Sequence, residues 1–221
     1  MTEEKLAEPR VGVWSEAGKL RRVMVCSPGL AHERLTPDNC DELLFDDVIW
    51  VDQARRDHVD FVTQMTEHGV EVLELHDLLT DVVELPEARS WLLERKVTDT
   101  LVGSALRPDI RAWMDEMPSR VLAELLVGGV AYQDLPDEIG NGFLGHLREV
   151  DPRGFVMHPL PNTQFSRDNS SWIFNGVTLN PMYWPVRREE TLLTTAVYRF
   201  HPTFADQAFD VWLGDLDDGV V

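Results

Sequence analysis

At 221 residues and 25.2 kDa the chain can hold one large domain or two small ones. Its 43% hydrophobic and 27% charged content, with 7 Trp and 9 Phe, argues against disorder along its whole length. A net charge of -19 argues against a sequence-independent nucleic-acid binder, which needs a basic face, while suiting either plain solubility or attraction of a cationic small molecule.

The first ten residues are polar and lack the apolar core of a secretory signal. No stretch approaches the length of a membrane span, and two cysteines suit a reducing compartment, so a cytoplasmic protein without membrane contact is expected. Lys19 to Gly29 reads as a strand closed by Pro28-Gly29. Its apolar half, Val23-Met24-Val25-Cys26, predicts a strand covered on both faces. Cys26 ends that run and Cys40 stands near the turn Thr36-Pro37-Asp38-Asn39. Neither has a CxxC partner or a His at ligand spacing, so both are expected to be structural and no zinc is expected.

Val51, Ala54, His58, Phe61, Val62 and Met65 recur at spacings of three and four, which predicts a helix ended by Gly69. His58 then reads as a core residue of that apolar face rather than a catalyst. Val70 to Leu75 reads as the next strand, completing an α/β unit over residues 1–85. Between 86 and 150 three short helical patterns, around Trp91, Ile110 and Leu122, are punctuated by Pro108, Pro118, Gly128-Gly129 and Pro136. This stretch predicts an inserted helical bundle without strands. A second α/β unit is expected over 151–221. It has a strand at Gly154 to Met157, a hairpin from Ser171 to Asn180 turning at Asn175-Gly176, a helix from Arg188 to Phe200, and a strand from Phe209 to Leu213. An Asn-Gly pair between apolar runs predicts a two-residue type I′ turn.

Three stretches carry a family resemblance: Leu20 to Gly29 continuing into Leu35 to Asp47; Leu160-Pro161-Asn162-Thr163-Gln164-Phe165-Ser166-Arg167-Asp168; and Asn180-Pro181-Met182-Tyr183-Trp184-Pro185-Val186-Arg187-Arg188-Glu189-Glu190-Thr191. In this order they resemble the arginine deiminases. The resemblance implies a five-fold pseudo-symmetric α/β propeller of ββαβ units with a helical bundle inserted in the first unit. Only part of that propeller is expected here. It implies hydrolysis of L-arginine to L-citrulline and ammonia without metal or organic cofactor. In that chemistry a cysteine thiolate attacks the guanidinium carbon, and a histidine-activated water resolves the thiouronium intermediate.

Carried onto this sequence, the resemblance makes Asp168 the carboxylate that grips the guanidinium, a pairing that fixes orientation through two parallel hydrogen bonds. A turn aspartate is the alternative from local sequence. Asn162 and Arg187 become ligands of the substrate's α-carboxylate. The alternatives are a turn asparagine after Pro161 and a solvated arginine at a helix start, where a cation opposes the helix dipole. Phe165 packs on the substrate's aliphatic chain or is an ordinary core aromatic, and Leu43 lines the pocket mouth. None of the seven histidines matches a catalytic position of the family. The nucleophilic cysteine and catalytic histidine are therefore expected after residue 221, the chain to be incomplete and inactive alone, and the full-length protein to be a homo-oligomer. Two other readings remain open: a related guanidino-modifying hydrolase such as an agmatine deiminase, and a non-catalytic arginine-binding or interaction fragment.

Overall fold

The computed structural model describes residues 11–140 and 143–217; the polar first ten residues and the last four lie outside the described residues. The first strand, β1, is Arg22–Val25, and Leu30–Glu33 forms a single-turn helix, α1. Helix α2, Val51–Glu67, crosses over to β2, Glu71–Glu74. β2 runs parallel to β1, with Arg22 opposite Glu71 and Val25 opposite Glu74. Gly69 takes φ 76 just past α2, and Val70 N–H returns to Met65 O at 3.0 Å, so a residue without Cβ stops the helix as expected. The expectation of a strand buried on both faces fails. Every residue of β1 is only half-buried, because among the described residues this sheet has two strands and β1 borders an open cavity.

Leu75 does not extend β2. It opens helix α3, Leu75–Glu84, whose Leu75, Leu78, Leu79, Val82 and Val83 are buried at helical spacing. Helices α4 (Pro86–Lys96), α5 (Asp99–Val102), α6 (Arg107–Asp115) and α7 (Ser119–Gly128) follow. Pro86 and Pro108 stand inside first turns, where a missing N–H removes no helical bond. α3 packs along α7. The expectation of no strand between 86 and 150 is corrected by β3, Val130–Ala131, which pairs antiparallel with β4, Phe155–Met157. Gly129, at φ 76, makes this approach possible, since a Cβ there would lie 2.4 Å from Met157 O. Helix α8 is Phe143–Val150.

The segment after β4 has the order ββαβ. After the single turn α9 (Ser166–Asn169) come β5 (Ser170–Ile173), β6 (Gly176–Leu179), α10 (Arg188–Phe200), the single turn α11 (Pro202–Ala205) and β7 (Asp210–Leu213). The sheet order is β5-β6-β7, antiparallel across the hairpin and parallel across α10. The hairpin turns one residue earlier than expected. Ile173 pairs with Gly176, so Phe174 and Asn175 form the loop, and positive φ falls on Phe174, at 52°. Two backbone bonds to Val13, of 2.7 and 2.8 Å, hold Phe174 there. The Asn175 amide reaches Asp210 at 2.8 Å instead of supporting its own turn.

One hydrophobic cluster runs from Cys26 through the helices of the middle segment to Phe204. α10 lies at its centre, with every residue from Glu190 to Tyr198 buried, whereas no residue of α2 is buried. The architecture is mixed α/β with small sheets, none of them closed. No described helix is long and apolar enough to cross a membrane.

Candidate functional site

The candidate residues gather where α9 and the single turn Pro185–Arg187 meet the start of α10. Asn180 fastens these pieces together. Its N–H donates to Asn169 O at 2.9 Å and its amide to Asp168 O at 2.9 Å, and its own carbonyl accepts from Thr191 Oγ1 at 2.7 Å. Asp168 and Arg187 are thereby held on backbone whose polar groups are bonded across three segments.

Arg187 is the hub. Its Nε and Nη2 fork onto Glu190 Oε1 and Oε2 at 2.8 and 2.9 Å. Its Nη1 donates to Asp168 Oδ2 at 2.8 Å and its Nη2 to Asn162 O at 3.3 Å. Sequence reasoning missed Glu190, although an Arg and a Glu three residues apart at a helix start share one face. The Glu190 side chain is 1% exposed, that of Arg187 12% and that of Asp168 48%. The three charges therefore form a line from a buried anion through a cation to an outward-facing anion. Burial pushes the Glu190 carboxyl up, and Arg187 offsets only part of that. Burial also works against the charged guanidinium of Arg187, but its bonds to Glu190 and Asp168 outweigh it and hold Arg187 above its ordinary range. With both carboxylates ionised the line carries one net negative charge, at the end facing solvent.

Asn162 is 5% exposed, and its amide donates to Leu43 O at 2.6 Å. It reaches Arg187 through its main-chain carbonyl. The structure thus links Asp168, Arg187, Asn162 and Leu43 in one hydrogen-bonded chain. Leu43 packs with Leu35 and Cys40, against Phe45 and Val186, and lines a cavity of about 410 Å³. Phe165, half-exposed, lines a different cavity of about 530 Å³ beside Cys26, His58 and Phe61. Asp168 and Arg187 line neither cavity, so the charged array opens to solvent outside both.

The neighbouring Glu189 pairs with Lys96, whose side chain is fully buried in α4. Consecutive glutamates of α10 thus tie down the array on one side and the middle helices on the other. Both cysteines are buried. Burial drives the Cys26 thiol well above its ordinary range, and Glu74 and Glu190 push it further. His58 does not sit in a core: it is half-buried on the cavity wall, with Nε2 3.7 Å from Glu74 Oε2.

In comparison with known proteins, the arginine deiminase family model matches residues 41–220, a span that includes every residue of the charged array.

Proposed function

Because the chain belongs to the arginine deiminase family, whose members are hydrolases acting on guanidino groups, we propose that it supplies the substrate-gripping part of an enzyme converting L-arginine to L-citrulline and ammonia through a cysteine thiouronium intermediate. The observation that carries this reading is the Glu190–Arg187–Asp168 line. Glu190 balances the Arg187 charge from behind, so with both carboxylates ionised the line keeps one net negative charge, at the Asp168 end toward solvent. A carboxylate so placed accepts two parallel N–H bonds from a planar guanidinium. Arg187, fixed in its rotamer by the Glu190 fork, is the group that meets the substrate's α-carboxylate.

The two roles constrain each other. Arg187 Nη1 and Asp168 Oδ2 are 2.8 Å apart, while the two charged ends of an extended arginine are separated by the whole side chain. The substrate therefore replaces the Arg187–Asp168 contact as it binds, and the fork onto Glu190 stays. Asn162 holds the Leu43 segment against the array and supports Arg187 through its carbonyl. Phe165, half-exposed and three residues before Asp168, covers the aliphatic chain of the substrate only if its ring turns from its present cavity toward the array.

The units β1–α2–β2 and β5–β6–α10–β7 are read as two repeats of a five-fold propeller, with the segment from about 86 to 150 inserted between them. The enzyme is read as a cytoplasmic homo-oligomer whose hydrolytic chemistry uses no cofactor. Nucleophilic attack needs an accessible thiolate, and Cys26 and Cys40 are both buried. The 221-residue chain by itself is therefore expected to form no citrulline from arginine in a colorimetric assay. Turnover well above a buffer blank, abolished by Cys26→Ser or Cys40→Ser, would contradict this reading and make one of those thiols the nucleophile.

A further inference from the structure

Parallel pairing of β1 with β2 brings together three residues that no motif connects. Cys26 follows the last residue of β1, Glu74 ends β2, and His76 lies in the first turn of α3. Cys26 Sγ lies 4.0 Å from His76 Nδ1, which lies 3.1 Å from Glu74 Oε1. One donor atom from each residue falls within 4.8 Å of the other two. A second imidazole approaches from α2, with His58 Nε2 3.7 Å from Glu74 Oε2.

We propose that Cys26, Glu74 and His76 form a binding site for a zinc-class divalent ion, with a fourth position toward His58. Thiolate, imidazole and carboxylate together are the donor set of zinc, and the thiolate selects against magnesium and calcium. Zinc bonds of about 2.0–2.3 Å place tetrahedral ligand atoms roughly 3.5 Å apart, so the observed spacing closes with shifts of about an ångström or less. Glu74 is already oriented from outside the cluster, since Ser27 N–H donates to its Oε1 at 3.0 Å. Cys26 and His58 both line the cavity of about 530 Å³, which gives the ion an entry path and gives the fourth position room for His58 or a water. On binding, the Cys26 thiol loses its proton to solvent and its sulfur donates to the metal. The rival account is that these side chains only satisfy one another. Glu74 does accept from Ser27 N–H and faces His76, but a sulfur 4.0 Å from the ring nitrogen stands at the outer limit of a hydrogen bond.

The test uses the purified 221-residue chain, stripped with a chelator, reloaded with zinc and dialysed against metal-free buffer. Bound zinc is measured by atomic emission, and cobalt(II) serves as an optical probe of thiolate ligation. The expected result is one zinc per chain and a thiolate-to-cobalt charge-transfer band. Cys26→Ser should abolish that band and Cys40→Ser should retain it. His76→Asn should weaken zinc binding by at least about tenfold and keeps the test decisive if the serine variant does not fold. No zinc retained by the unsubstituted chain, or zinc retained by the Cys26→Ser and His76→Asn proteins as well as by the unsubstituted chain, would overturn the proposal.

Discussion

Two helices hold equivalent positions in this chain and end in opposite surroundings. α2 joins the parallel pair β1–β2, and α10 joins the parallel pair β6–β7. Both carry apolar residues at helical spacing, yet no residue of α2 is buried while α10 is buried from Glu190 to Tyr198. The difference lies in what covers them. α3 and α4 pack on α10, whereas α2 meets β2 and leaves Val59 and Phe61 exposed. Local pattern therefore sets the helix, and the partner supplied by the rest of the chain sets its burial. The Glu190–Arg187–Asp168 line starts on the covered helix, so its rotamers are fixed by packing as well as by charge.

The largest expected effect tests that contrast directly. Leu193, fully buried in α10, should lose about 2–5 kcal/mol on substitution by Ala, because a cavity adds to the lost transfer energy. Phe61→Ala in α2, at a position 53% exposed, should change stability by less than about 0.5 kcal/mol. Urea unfolding of the two variants measures both, and equal losses would mean that α2 is covered in solution.

A smaller effect sharpens the comparison through pH. Glu190 on the covered helix titrates above its ordinary value of 4.5, because burial outweighs Arg187. Glu74 on β2 titrates below 4.5: burial raises it, but the bonds from His76 and Ser27 prevail. The two contributions to stability therefore have opposite signs. The Glu190 contribution is complete below 4.5 and is lost as pH rises through its elevated folded value. The Glu74 contribution is complete above 4.5 and is lost as pH falls through its depressed folded value. In Tm profiles, Glu190→Gln should flatten the decline on the alkaline side of 4.5, and Glu74→Gln the decline on the acid side. Changes on the same side would contradict the assigned environments.

Much of the fold was legible because it rests on local pattern. α2 with its Gly69 stop, α10 within its full bounds, and strands near β1, β2, β4 and β7 follow from periodicity and turn chemistry. α3 has the same kind of local signal, Leu75, Leu78, Leu79, Val82 and Val83 at helical spacing, but Leu75 also continues the apolar run of the preceding strand and so masks the helix start. β3 was not legible, since two residues carry no periodicity and pair only because Gly129 admits the approach of Met157 and Pro159. The hairpin register depended on Val13, more than 150 residues away, which outweighs the local Asn-Gly signal. In the candidate site, motif resemblance picked out Asp168 and Arg187, but their direct contact is a tertiary fact, whereas the Glu190 fork spans three residues at a helix start and was legible from that spacing. The cluster of Cys26 with His76 spans 50 residues and has no sequence spacing to betray it.

The assignment of the charged array to arginine is tested most directly by comparing ligands that differ only at the remote end. Ligand-observed NMR of the 221-residue chain with L-arginine and with agmatine, which lacks the carboxylate, reads the two ends of the site separately. The account predicts tighter binding of arginine than of agmatine. Arg187→Ala should erase that preference by weakening arginine alone, whereas Asp168→Asn should weaken both, as removal of a charged partner does. Equal binding of the two ligands by the unsubstituted chain, or an equal loss of both on Arg187→Ala, would contradict it and leave Arg187 as a structural anchor between Glu190 and Asp168.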